Sequence, residues 1–193
     1  LGDKRKVSDK LADTLDALAK KEKDLETLIQ VAASAKRLPA HHGLPILQTL
    51  AQRDPSPEDG RLPLMIWWGV ETHSETGRDL LKDWYRKGET WAQPVFSKTI
   101  AQRLMRRYAM AGGEKNLHSC ADLLESAPDQ ATAKLLSTGL QLAFQGTSIP
   151  PLPERLAKQM DSLAKKAGGN KLLVEVLRGN EKAIKQAVVV VGD

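Results

Sequence analysis

Apolar residues recur every three to four positions along most of the chain, and Gly, Pro or Asn interrupts the recurrence at short intervals. This is the period of helices that bury one face. Leu11, Leu15, Leu18 and Ala19 form a first stripe behind Ser8, an N-cap residue with Asp9 in the first turn. Leu25, Leu28, Ile29 and Ala32 form the second; Lys36 and Arg37 suit its C-terminal end, and Pro39 stops it. Leu44, Leu47, Leu50 and Ala51 mark a short third helix, followed by the loop "RDPSPEDG" at 53–60. The stretch "RLPLMIWWGVETH" at 61–73 is the fourth, and a fifth runs from Ser74 with Leu80, Leu81, Trp84 and Tyr85 on one side.

Residues 90–113 predict a long helix, or one kinked near Pro94, that ends at Gly112 and Gly113. Asn116 is placed to cap a helix carrying Leu117, Cys120, Ala121 and Leu124. Asp129 starts another, with Leu136, Leu140, Ala143 and Phe144. After the break "QGTSIPPLP" at 145–153, three short stripes remain: Leu156/Met160/Leu163, Leu172/Leu173/Val176/Leu177 and Ala183/Ile184/Ala187/Val188. The β-prone "VVVV" at 188–191 continues the last of these stripes and is read as helix. The expected fold is all-α: a HEAT-like α-solenoid of about eleven short helices, forming a single α-helical repeat domain over 1–193. A compact bundle is the other arrangement such helices could make. The repeats would be irregular, since no strict period is visible.

The fourth helix holds the most distinctive stretch. Trp67 and Trp68 are adjacent in a chain with only four tryptophans. Neighbours on a helix point about 100° apart, so the pair cannot share one narrow stripe. Leu62, Met65, Ile66, Gly69 and Val70 already form a stripe, and Leu64, Trp67 and Trp68 widen it to most of the circumference. A helix apolar nearly all round is buried on most sides. Both indoles are therefore expected in the core, with Gly69 allowing close approach of a neighbouring helix. The competing reading is a ligand pocket. Glu71 falls on the tryptophans' side of the helix and would need a partner if buried. Arg103, Arg106 and Arg107, at i, i+3, i+4 spacing, are the expected source. A general acid or base at Glu71 is the functional alternative, but no matching nucleophile or second acid occurs at a convincing spacing.

Composition narrows the remaining classes. Hydrophobic residues make up 41% and charged residues 27%, an ordinary globular balance. No apolar run approaches the roughly 20 residues of a membrane span. The net charge of +5 and pI near 9.3 allow acidic partners without requiring them. Residue 1 is Leu and no signal peptide follows, which points to a processed or excised piece. Cys120 is the sole cysteine, so an internal disulfide and every CxxC or CxxCH pattern are excluded; on its apolar stripe it reads as a small core residue. His41 and His42 sit between two prolines in what reads as a solvated turn, while His73 and His118 are isolated. With Lys98, the three arginines make a basic face. It reads as an internal salt-bridge row, with phosphate contact as the alternative. The "KRK" at 4–6 and "KKEK" at 20–23 read as solvated helix ends and faces. No Gly-rich phosphate loop, Ser/His/Asp order or metal-ligand motif occurs. The segment is thus expected to have no catalysis and no cofactor of its own; a nucleic-acid partner is not expected, and a basic helical-repeat module that binds nucleic acid is the alternative reading.

"LPLMIWWGVE" (62–71), "RLMRRYAMAG" (103–112), "ADLLESAPD" (121–129) and "LSTGLQLAFQG" (136–146), in this order, resemble the helical-repeat region of PVC-type heme-binding CxxCH proteins. These are large secreted bacterial proteins that join a dehydrogenase-like β-propeller, HEAT-like repeats and a C-terminal c-type cytochrome segment. The resemblance covers roughly 40–193, and its most specific parts are the WW-x-x-E and RR helices. The heme-attachment motif does not occur here, so no functional residue carries over. The resemblance implies a scaffold or interaction module of a periplasmic or secreted redox protein, with partner proteins or domains of the same parent chain as its contacts.

Overall fold

The computed structural model describes residues 8–53, 60–145 and 150–166. Among the described residues there are nine α-helices, a 3-10 turn and a π-helical segment, and no strand. The chain divides into two compact units, Leu1–Leu104 and Met105–Asp193.

The first unit contains α1 (Asp9–Lys21), α2 (Leu25–Arg37), α3 (Ala40–Ala51), α4 (Arg61–His73) and α5 (Arg78–Tyr85). The 3-10 turn Gly88–Ala92, the π-helical segment Phe96–Ile100 and the start of α6 (Ala101–Ala111) follow. Caps fix where the first helices begin. The Ser8 hydroxyl accepts from the Leu11 amide, and the Asp24 carboxylate accepts from the amide and hydroxyl of Thr27. At the end of α1, the Arg53 guanidinium donates to the carbonyls of Ala19 and Glu22, which have no partner within the helix.

Helices two apart in sequence stack on each other: α1 on α3, α2 on α4 and α3 on α5. α3 also touches α2 and α4, so it sits at the middle of the unit. Its Leu44, Ile46, Leu47, Leu50 and Ala51 are buried accordingly. Each of these leucine and isoleucine side chains contributes about 1.5–3 kcal/mol by leaving water. The approach of α3 to α4 is close at Gly69, where a Cβ would lie 2.6 Å from Leu47 Cδ1. The glycine in "WWGVE" is therefore fixed by contact, not by backbone conformation.

Several boundaries differ from those the pattern predicts. α3 begins at Ala40, so His41 and His42 stand in its first turn and not in a loop. Pro39 precedes it in an extended conformation, and Pro45 lies inside the helix with its ring exposed. A proline there removes the amide that would bond to the fourth residue before it, but leaves the outward face free to carry the ring. α5 starts at Arg78, because Ser74–Gly77 forms a turn. The 90–113 stretch is not one helix. Helix resumes at Pro94, a residue well suited to a first turn, and only the last part of the stretch is α6. Before that break, Thr90 Oγ1 donates to the Trp84 carbonyl and Trp91 Nε1 to the Tyr85 carbonyl, closing the end of α5. Phe96 then meets Trp84 and Trp91 edge-on, each at 5.1 Å between ring centroids.

The second unit contains α7 (Gly113–Glu125), α8 (Gln130–Ala143) and α9 (Glu154–Lys166), each in contact with the other two. α6 stops where Gly112 and Gly113 adopt φ of +63° and +73°, a region that favours glycine. α7 starts at Gly113, three residues before Asn116; the Asn116 amide donates to the Gly112 carbonyl from within the first turn. Asp129 caps α8 by accepting from the Thr132 amide. Leu117, Cys120, Leu123, Leu136, Leu140, Leu156 and Met160 form the core. Cys120 is fully buried with Sγ 3.8 Å from the Met105 carbonyl, the setting of a packing residue. Arg155 of α9 reaches Asp122 at 2.7 Å and also Glu125, tying α9 to α7. The last two expected helices, near Leu172 and Ala183, lie outside the described residues, and the helix count is nine among those described against the eleven expected.

Candidate interaction face and cleft

The tryptophan pair divides between core and surface. Trp67 is 7% exposed, whereas Trp68 is 45% exposed, which corrects the expectation that both are buried. The 100° between neighbours is the reason. α4 buries Leu62, Pro63, Ile66, Trp67, Gly69 and Val70 against the unit, and its outer line of Arg61, Leu64, Trp68 and Thr72 is left in solvent. The other two tryptophans, Trp84 and Trp91, are buried. Trp68 is thus the one indole on the surface, with exposed Leu64 four residues earlier beside it.

Glu71 is half-buried, and its side chain forms no ion pair or hydrogen bond with a described residue. The expected arginine partner is therefore not found at Arg103, which is exposed and donates to the Thr99 carbonyl of its own helix. Arg106 is also exposed and Arg107 half-buried, so an internal row of arginines does not describe this helix.

α2 passes beside the outer line of α4. The Lys36 ammonium stands 5.9 Å from the Trp68 ring centroid, within cation–π range. From this point a cleft of about 850 Å³ opens. The end of α2 supplies Lys36, Arg37 and Leu38, and the start of α3 supplies Pro39, Ala40 and His41. The far wall is Thr72 and His73 of α4, Thr76 of the following turn and Leu80 of α5. Lys36 and Arg37 are exposed and form no ion pair with a described residue. His41 is exposed and rests against the His42 ring, 4.1 Å between centroids. Among these described lining residues there is no carboxylate.

His73 is the buried member of the wall. Its Nε2 lies 3.1 Å from the Ala35 carbonyl, which can only accept, so Nε2 carries the proton and Nδ1 does not. Burial pushes its pKa below the ordinary histidine value, against a smaller opposing effect of the Ala35 bond. A Cβ at Gly43 would lie 2.7 Å from His73 Nε2, so α3 and α4 meet tightly here. His73 is accordingly a neutral tie between α2 and α4.

Sequence reasoning identified Trp67, Trp68 and Glu71 but missed the cleft. Its cations were legible only as residues favourable to a helix C-terminus, and Leu80 only as part of an apolar side. The usable signal was the adjacency of the tryptophans, since one of two neighbours on a surface helix tends to leave the core face. No family model, curated protein or solved structure matches this chain.

Proposed function

We propose that the chain is a non-catalytic helical-repeat scaffold, a HEAT-like solenoid segment whose work is to hold partner proteins or neighbouring domains. The observation that carries this reading is the outward Trp68 of α4, beside Leu64 on the same helix and with Lys36 of α2 over its ring. Large indoles on rigid elements are the usual anchors of protein interfaces. Stacking of α1 on α3, α2 on α4 and α3 on α5 supports the repeat reading, because solenoids bury each helix pair against the next. The resemblance to the repeat region of PVC-type CxxCH proteins supports placing it in an exported redox protein, with any heme held outside this segment.

Two experiments test the proposal. A photo-crosslinking amino acid at position 68, in the full parent protein in its own cells, should give a discrete crosslinked product. A control at exposed Leu142 should not. Equal, diffuse labelling at both positions would count against a scaffold face on α4. For the parent protein, the encoding reading frame should carry an export signal upstream and a CxxCH downstream; finding neither would remove the redox context.

The second reading is a nucleic-acid module. It gains from the exposure of Arg103 and Arg106, which an internal salt-bridge row would have buried.

A further inference from the structure

The cleft between the end of α2 and the start of α5 has a composition that selects its occupant. Its rim is cationic, with Lys36 and Arg37 exposed and lacking an ion pair among the described residues. Its walls are partly apolar, with Leu80 left 37% exposed. Thr72 links the cleft to the exposed Trp68 one turn earlier on α4, and the Thr72 hydroxyl donates to the Trp68 carbonyl. The volume, about 850 Å³, lies in the range that encloses several side chains or a small molecule.

We infer that this cleft and Trp68 together bind an acidic peptide segment of a partner protein, one that carries an apolar or aromatic anchor next to its carboxylates. The inference rests on the scaffold reading and names the partner's chemistry. Carboxylates answer Arg37, which offers a bidentate fork, and Lys36, which offers a point charge. The anchor answers Leu80 and the Trp68 face, which would otherwise stay in water. A nucleic-acid strand suits the cleft less well. Backbone binding needs several cations tracking successive phosphates, and here two cations flank an apolar wall. Lys36 already lies near the Trp68 ring, so the charge and the anchor site are held together before binding.

The test selects a displayed library of random 12-residue peptides on the immobilised full chain. It then measures the recovered peptides by fluorescence anisotropy. Recovered sequences should be enriched in Asp or Glu flanking Phe, Leu or Trp. Their affinity should weaken at least tenfold with Lys36→Glu plus Arg37→Glu, and at least tenfold with Trp68→Ala. Circular dichroism should show both variants folded, as expected for exposed positions. A copy of the best peptide with its acids changed to lysine should not bind. The inference is overturned if no binder is recovered, if binders lack acidic enrichment, or if neither variant weakens binding. It is also overturned if a single-stranded oligonucleotide displaces the peptide at lower concentration than unlabelled peptide does. Crosslinking through position 68 that persists after such a result would leave the scaffold standing and remove only the acidic-peptide assignment.

Discussion

Trp67 and Trp68 share a helix, a side-chain type and nearly identical sequence surroundings, yet they face different solvents. The hydrophobic pattern revealed a wide apolar surface on α4 but not where the core ends, because that edge is drawn by α2 and α3. Leu47 approaches Gly69 on one flank of the buried face, Trp67 lies buried on the other, and Trp68 between them on the outside has the Lys36 ammonium over its ring. The difference sets distinct costs. Trp67→Ala empties a core site and should lower stability by about 3–5 kcal/mol. Trp68→Ala removes a half-exposed ring and a cation–π contact of about 0.5–1 kcal/mol, so the loss should stay near about 1 kcal/mol. Glu71→Ala strands no cation among the described residues and should change stability by about 0.5 kcal/mol or less. Denaturant unfolding midpoints for the three variants check this ordering. Equal losses at both tryptophans would place Trp68 in the core after all.

At the scale of elements, two helix starts with side-chain caps were legible, Ser8 before α1 and Asp129 before α8, and both form the bonds their positions imply, whereas Asp24, which caps α2 in the same way, was not read as a cap. Starts without such caps were read unevenly: α4 begins at Arg61 as the pattern predicts although Gly60 makes no side-chain cap bond, but α3 does not begin where it was expected. Pro39, the N-cap of α3, makes no side-chain cap bond, so the histidine turn read as loop although tertiary contact holds it helical. His73 marks that contact, and no sequence pattern showed that an isolated histidine joins α2 to α4. It also makes the pair sensitive to pH. The unfolded chain takes up a proton near the ordinary histidine pKa of about 6.5, whereas the folded chain resists it, since burial lowers the folded pKa. The unfolded state therefore binds more protons in the interval below about pH 6.5. The stability that neutral His73 contributes is complete above that pH and is lost as pH falls through it toward the lowered folded value. The denaturant midpoint should drop between about pH 7.5 and 5.5, and His73→Gln, which keeps a donor but does not titrate, should flatten the drop. Matching pH profiles for the two proteins would assign the sensitivity to other groups.

For the molecule as a whole, the class was readable from period alone, since helical repetition and the lack of any convincing strand stretch already gave all-α. The division into two compact units was not, because the chain has no composition break at residue 104 and the boundary falls inside α6. Chemistry at this scale yields two expectations. Without a CxxCH, the purified chain should show no stoichiometric Soret band after removal of non-covalent pigments, and a covalent one would contradict the scaffold assignment. The second concerns nucleic acid, where the net charge of +5 is weakly favourable. Arg103, Arg106 and Lys98 are exposed, whereas Arg107 is half-buried and already engaged. Three available cations neutralise about three phosphates, so log affinity should fall against log salt with a slope near about −3. That is too few for tight binding, and duplex DNA should bind in the non-specific range, with Kd of about 10⁻⁴–10⁻⁶ M at physiological salt. Anisotropy titrations across a salt series measure both quantities. A sub-micromolar Kd with a much steeper slope, abolished by Arg103→Ala plus Arg106→Ala while the fold persists, would make nucleic acid the partner. A slope near −3 that these substitutions bring toward −1 would show these cations acting only as weak, sequence-blind attraction.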